Sequence, residues 1–196
     1  MTGTRTEVLR RGSAEGFAGL AAVAGRVLLA NFVLIAGSKI AIPLPWTPVP
    51  LTLQTFGVLL IAILFGARAS SLAALLYLVE GAAGLPVFQP FGAPAAARLF
   101  GPTAGYLLAF PLAAFVAGRV LELLLARTTS KQRSANWLAI AAALLPGDAL
   151  ILLCGWAWLA TLMGAANAAK LGVVPFLAGD LLKLAAAATI ARALDR

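Results

Sequence analysis

The sequence predicts an all-α integral membrane protein: six transmembrane helices with two proline- and glycine-rich extracytoplasmic connecting segments. Three observations predict it. Of 196 residues, 62% are hydrophobic and only 11% charged, with a mean hydropathy of +0.97, a balance that soluble domains of this length do not show. The apolar residues gather into six runs separated by polar or basic connections. Two stretches, residues 43–55 and 84–106, interrupt that pattern with Pro and Gly. Residues 1–196 read as one transmembrane domain.

Residues 1–15 are polar and basic, with Arg5, Arg10 and Arg11, and lead into a long apolar run rather than a cleavable signal pattern. The first span covers residues 17–42, with Arg26 low enough in it to snorkel to the surface. Ala14, Ala18 and Ala22 recur at four-residue spacing, and Ala21 lies four before Gly25. That spacing lets another helix approach closely, and in an alanine-rich chain it also arises by chance.

Pro43, Pro45, Pro48 and Pro50 then exclude a continuous helix. Extended backbone of this kind lies at the surface or lines a cavity, because lipid cannot satisfy its polar groups. Trp46 can anchor the segment at headgroup level or stack on a ligand. The second span covers residues 51–65, with Thr52, Gln54 and Thr55 at its entrance. After a tight connection at residues 66–71 bearing Arg68, the third covers residues 72–83 and includes Tyr77 and Glu80.

The second irregular segment carries Phe88, Phe91 and Phe100, unlike an ordinary solvated loop. Pro102 is suited to the first position of the fourth helix, whose free N–H groups could accept an anion. Arg98 just before it could meet lipid phosphate or ligand. The fourth span runs to residue 125, with Arg119 and Glu122 three apart and able to pair. The most hydrophilic connection holds Arg127, Lys131 and Arg133. The fifth span covers residues 137–163 and contains Pro146, Gly147 and Asp148. Residues 164–172 read as a short loop with Lys170.

The last span, residues 173–193, carries Asp180 and Lys183 about a third of the way in. Three apart on a helix, they project from one face. A charge at the bilayer centre costs about 2.5–3.5 kcal/mol on insertion scales. Either the two merely compensate each other, or they form a buried polar site facing the bundle interior.

Composition removes several classes. There is no histidine, and the one cysteine, Cys154, sits in an apolar run as a small core residue, so neither a disulfide nor a thiolate metal cluster can be built. No catalytic site and no cofactor are expected. The formal charge of +8 does not indicate nucleic acid, because the basic residues lie between spans without aromatic interleaving. They set topology instead. The N-terminus, Arg68, the Arg127–Arg133 connection, Arg192 and Arg196 fall on one side of six spans, which places both termini in the cytoplasm. Arg98, Lys170 and Lys39 lie toward the other.

Four pieces in order, TPVPLTLQT, GLPVF, GPTAGY and PFLAGDLLK, resemble the BioY family. These are the biotin-specific substrate-binding (S) components of energy-coupling factor (ECF) vitamin transporters. The resemblance covers most of residues 42–188. It implies a six-helix protein of the cytoplasmic membrane that captures biotin from outside. It further implies docking, within membrane lipid, on a transmembrane coupling protein and two cytoplasmic ATPases. The chain has no phosphate loop of its own.

The family's Asp-x-x-Lys falls on Asp180 and Lys183. An ionised Asp180 can accept the ureido N–H groups of biotin, while Lys183 donates to a biotin oxygen and keeps Asp180 charged. The resemblance also implies polar loop contacts, here Gln89 and Arg98, and composition adds Trp46, Tyr77 and Phe88 as candidate pocket walls. Three other readings compete: an S component for another vitamin, a stand-alone channel or carrier, and an intramembrane aspartyl protease. The last rests on Gly-Asp pairs at Gly147-Asp148 and Gly179-Asp180. Such a dyad shares a proton between like charges, which Lys183 beside Asp180 opposes.

Overall fold

The computed structural model describes residues 3–93, 95–126 and 137–194, and their side chains over 19–93, 95–126 and 140–190. The basic connection of Arg127, Lys131 and Arg133 lies outside the described residues. So do Arg196 and the side chains of Arg5, Arg10, Arg11, Ala14, Ala18 and Arg192.

Among the described residues, the chain is almost wholly helical. The elements are α1 (Gly3–Lys39), strands β1 (Ala41–Ile42) and β2 (Leu51–Thr52), α2 (Gln54–Ala82), a 3-10 turn (Ala95–Phe100), α3 (Ala104–Ala126), α4 (Trp137–Met163), α5 (Ala165–Gly172) and α6 (Val174–Leu194). Four helices are long and apolar enough to cross a membrane, or five if the bent pair α5–α6 counts as one.

The first helix ends at Lys39, short of residue 42, because the next residues pair instead. Ala41 faces Thr52 and Ile42 faces Leu51 in a two-stranded antiparallel ladder. The ladder closes the base of the proline-rich loop and satisfies backbone groups that a helix before Pro43 could not retain.

Residues 66–71, expected as a connection, narrow to a single break at Gly66 (φ 78°, ψ 173°) inside α2. Positive φ of this kind is open to glycine at little steric cost. Gln54 and Tyr77 stand 23 residues apart, which on one straight helix is about 35 Å. Yet the Gln54 amide donates to the Tyr77 hydroxyl. The two halves of α2 therefore lie side by side, antiparallel. Glu122 of α3 reinforces the reversal by accepting the Ala67 N–H at 2.9 Å, one of the orphan donors of a new helical turn.

Pro102, expected at the first position of the fourth helix, instead sits in a turn two residues before Ala104. The short loop expected at residues 164–172 is helical as α5. Its alanine-rich sequence has high helix propensity. Gly164 (φ 82°) separates it from α4. Pro175 lacks an N–H and clashes one turn back, and the chain bends by 41° between α5 and α6.

Asn31 of α1 donates to Glu80 Oε2 at 3.0 Å, giving an intramembrane carboxylate a partner on the neighbouring helix. The apolar core forms two clusters. One, around Tyr77, Tyr106, Phe110 and Phe176, packs beneath the irregular segments. The other, around Leu59, Leu121, Leu144 and Leu184, fills the remaining length of the bundle.

Candidate binding site

Asp180 and Lys183 stand where α6 meets the start of α2. Asp180 is only 3% exposed. Lys183 Nζ donates to Asp180 Oδ1 at 2.9 Å and to Thr55 Oγ1 at 2.9 Å. Two of the three ammonium donors are thus used, and the ion pair is hydrogen-bonded to a second helix as well as to itself. Asp148 of α4 lies within electrostatic reach of both residues, and its Oδ1 is buried without a hydrogen-bond partner among the described residues.

The pair lines a cavity with about 470 Å³ of empty space, open mouth included. Its apolar walls are Val49, Leu107, Phe110, Leu152 and Phe176, and its polar groups include Gln54, Thr55, Gln89 and Tyr106. A few convergent polar groups in an apolar concavity are the usual make-up of a small-molecule site.

Tyr106 is held in this wall by its neighbours. Its hydroxyl donates to the Gly172 carbonyl at 2.6 Å. Its ring lies on Gly155 of α4, where an added Cβ would fall 2.1 Å from Cε1. Only a residue without a side chain leaves that space.

A second cavity, of about 510 Å³, shares Pro50, Gln89 and Thr103 with the first and carries Arg98 on its wall. Arg98 is 5% exposed, and its Nε donates to the Ala93 carbonyl at 3.0 Å. Burial pulls its guanidinium below the usual arginine range, although an arginine stays charged throughout the physiological range. Gln89 lies at the junction of the two cavities, and its Oε1 is buried with no hydrogen-bond partner among the described residues. Buried acceptors are nearly always satisfied, so this oxygen is suited to a donor placed in the cavity.

The structure brings Asp180, Lys183 and Gln89 to one cavity and Gln89 and Arg98 to the adjoining one. Tyr77 and Phe88 line neither of these. They form an edge-to-face pair with centroids 5.3 Å apart, one layer back. Tyr77 accepts from Gln54, and Phe88 packs on Gly81. Ser38 Oγ donates to the Val87 carbonyl at 2.6 Å, and Lys39 Nζ donates to the Phe88 and Pro86 carbonyls, clamping this loop to the end of α1. Trp46 is 62% exposed and lines neither cavity.

Thr55, Thr103, Tyr106, Phe110 and Phe176 complete the wall without having been singled out as site residues from sequence. Thr55 carried a signal, a hydroxyl at the mouth of an apolar span. Tyr106 carried one too, a polar-tipped aromatic within the GPTAGY motif. Of the two acids in the Gly-Asp pairs, Asp180 is bonded to Lys183 at 2.9 Å, with Asp148 within electrostatic reach of both.

The sequence profile described as the BioY family matches residues 13–196. The chain belongs to the BioY family. Among its relatives, the probable biotin transporter BioY of Pyrococcus horikoshii is 38% identical over 168 residues, covering 86% of this chain and 94% of that protein. The biotin transporter BioY of Thermotoga maritima is 39% identical over 165 residues, covering 84% and 90%. The fold matches a crystal structure of the S-component for biotin from an ECF-type ABC transporter, with a TM-score of 0.75. That match has 24% identity and covers 90% of this chain and 92% of the other. These relatives are named as transporters, and the chain belongs with them rather than with enzymes.

Proposed function

We propose that this chain takes up biotin across the cytoplasmic membrane as the substrate-capturing S component of an ECF transporter. The observation that carries the reading is the Asp180–Lys183 pair, buried, braced by Thr55 and lining the cavity. Biotin has two ureido N–H donors, a ureido carbonyl, an apolar thiophane and a carboxylate tail. Asp180 accepts the N–H groups with charge-assisted strength, and Lys183 donates its third N–H to the carbonyl. Phe110, Phe176 and Val49 take the apolar ring. The tail runs past Gln89 and Thr103 toward Arg98, whose guanidinium suits a carboxylate. Tyr77 and Phe88 support the wall through Gln54, and Trp46 anchors the proline-rich loop at headgroup level.

Equilibrium binding of labelled biotin to the purified full chain tests this reading, and absence of saturable binding overturns it. The Arg98 assignment has its own test. The wild type is expected to prefer biotin over its methyl ester, and Arg98→Gln to weaken biotin about tenfold while leaving the ester unaffected. Equal losses for both ligands would remove Arg98 from the carboxylate site.

In this reading residues 1–196 form one domain of six spans. They are α1, the two halves of α2, α3, α4 and the bent α5–α6 pair. The antiparallel arrangement of the α2 halves supports that count. Both termini lie in the cytoplasm, as the basic connections favour. A transmembrane coupling protein and two cytoplasmic ATPases complete the transporter within the lipid. On this topology a membrane-impermeant thiol reagent applied to intact cells labels Gly92→Cys but not Ser130→Cys. The reverse pattern would invert the orientation.

A further inference from the structure

A larger concavity lies where α1, the Gly66 turn of α2 and the far end of α3 meet, with about 1280 Å³ of empty space, open side included. It is separate from the two cavities described above and shares no residue with them. Its lining mixes apolar and charged side chains, and two of the apolar ones, Leu72 and Phe115, are 50% and 39% exposed. Three arginines from three different segments, Arg26, Arg68 and Arg119, line it with a single carboxylate, Glu122.

That carboxylate is already committed. Its Oε1 accepts the Ala67 N–H at 2.9 Å and its Oε2 accepts Arg119 Nη1 at 2.7 Å. Arg26 and Arg68 are exposed and make no hydrogen bond or ion pair among the described residues. Three cations against one anion leave the groove a formal excess of two positive charges. Simple snorkelling explains one cation reaching headgroup level. It does not explain two guanidinium groups from separate helices, neither hydrogen-bonded nor ion-paired among the described residues, converging on one groove beside Leu72 and Phe115.

We infer that this groove holds an anionic phospholipid, its phosphate between Arg26 and Arg68 and its upper acyl chains against Leu72 and Phe115. Guanidinium forks match phosphate oxygens bidentately, and basic residues near an anionic membrane surface are drawn to its lipids. A free phosphate would use the cations and leave the apolar walls uncovered. An amphiphile satisfies both. The inference goes beyond biotin capture and does not depend on it.

Native mass spectrometry of the full chain, released from equimolar phosphatidylglycerol and phosphatidylcholine, tests it. The wild type is expected to retain phosphatidylglycerol several-fold over phosphatidylcholine. Arg26→Gln with Arg68→Gln should bring the two near parity while biotin binding is unchanged. Equal retention by the wild type overturns the inference, as does a double variant that keeps the preference. Displacement of the lipid by millimolar inorganic phosphate also overturns it, in favour of a free-anion site. If the double variant does not fold, the wild-type ratio stands beside a second measurement. Phe115→Trp should be quenched, above the background of the natural tryptophans, more by brominated phosphatidylglycerol than by brominated phosphatidylcholine. Equal quenching would sink the assignment.

Discussion

Replacing Asp180 by leucine and Lys183 by methionine together is expected to leave a chain that folds and inserts but no longer binds biotin. The single changes are less clean. Asp180→Asn keeps the shape, yet leaves the ammonium of Lys183, 11% exposed, without a counter-charge. Breaking a buried ion pair from one side destabilises by about 3–5 kcal/mol, whereas replacing both members with apolar groups is often harmless. The double variant therefore separates recognition from stability. Its melting temperature in detergent should stay near that of the wild type, with saturable biotin binding absent. For Asp180→Asn, a ureido donor left without its charged partner loses about 1–3 kcal/mol, at least roughly tenfold in affinity. Near-native affinity in the double variant would rule out the pair as the recognition site.

The sequence made the Asp180–Lys183 pair legible because lipid raises the cost of charge, so two ionisable residues in one span stand out on composition alone. Gln89 and Arg98 became candidates by another route, through the resemblance to the BioY family and its polar loop after GLPVF. The reversal within α2 was legible as the tight connection at residues 66–71, but its confinement to Gly66 was not, since a single positive-φ glycine among helix formers resembles any other intrahelical glycine. The helical nature of residues 164–172 was legible in their alanines but masked by the flanking Gly164. Tyr106 illustrates the deeper limit. Its place in the wall depends on Gly155, 49 residues away, and on the Gly172 carbonyl. Neither contact leaves a local mark. Trp46, conspicuous by type, stands exposed on the proline-rich loop, because residue type reports chemistry and not direction.

The contact of Tyr106 with Gly155 sets the last expectation. In Gly155→Ala the new methyl would meet the ring at 2.1–2.3 Å from Cε1, Cδ1 and Cζ, far inside van der Waals contact. The ring cannot swing away without giving up its hydrogen bond to the buried Gly172 carbonyl at 2.6 Å. Either α4 moves from α3 or the tyrosine leaves the cavity wall. Overpacking of this kind destabilises by about 1–3 kcal/mol, and the displaced ring should lower biotin affinity as well. Tyr106→Leu removes both the clash and the hydrogen bond, and alone should cost about 1 kcal/mol for the lost bond plus the packing it leaves. Combined with Gly155→Ala, the added methyl fills space the ring vacated, so the double variant should be more stable than the sum of its parts. A coupling energy of about 0.5–3 kcal/mol is the range for residues in direct contact. Unfolding followed by denaturant or heat in the four variants measures it. Strict additivity would mean that Tyr106 does not rest on Gly155, and that α4 plays no part in shaping the cavity through this ring.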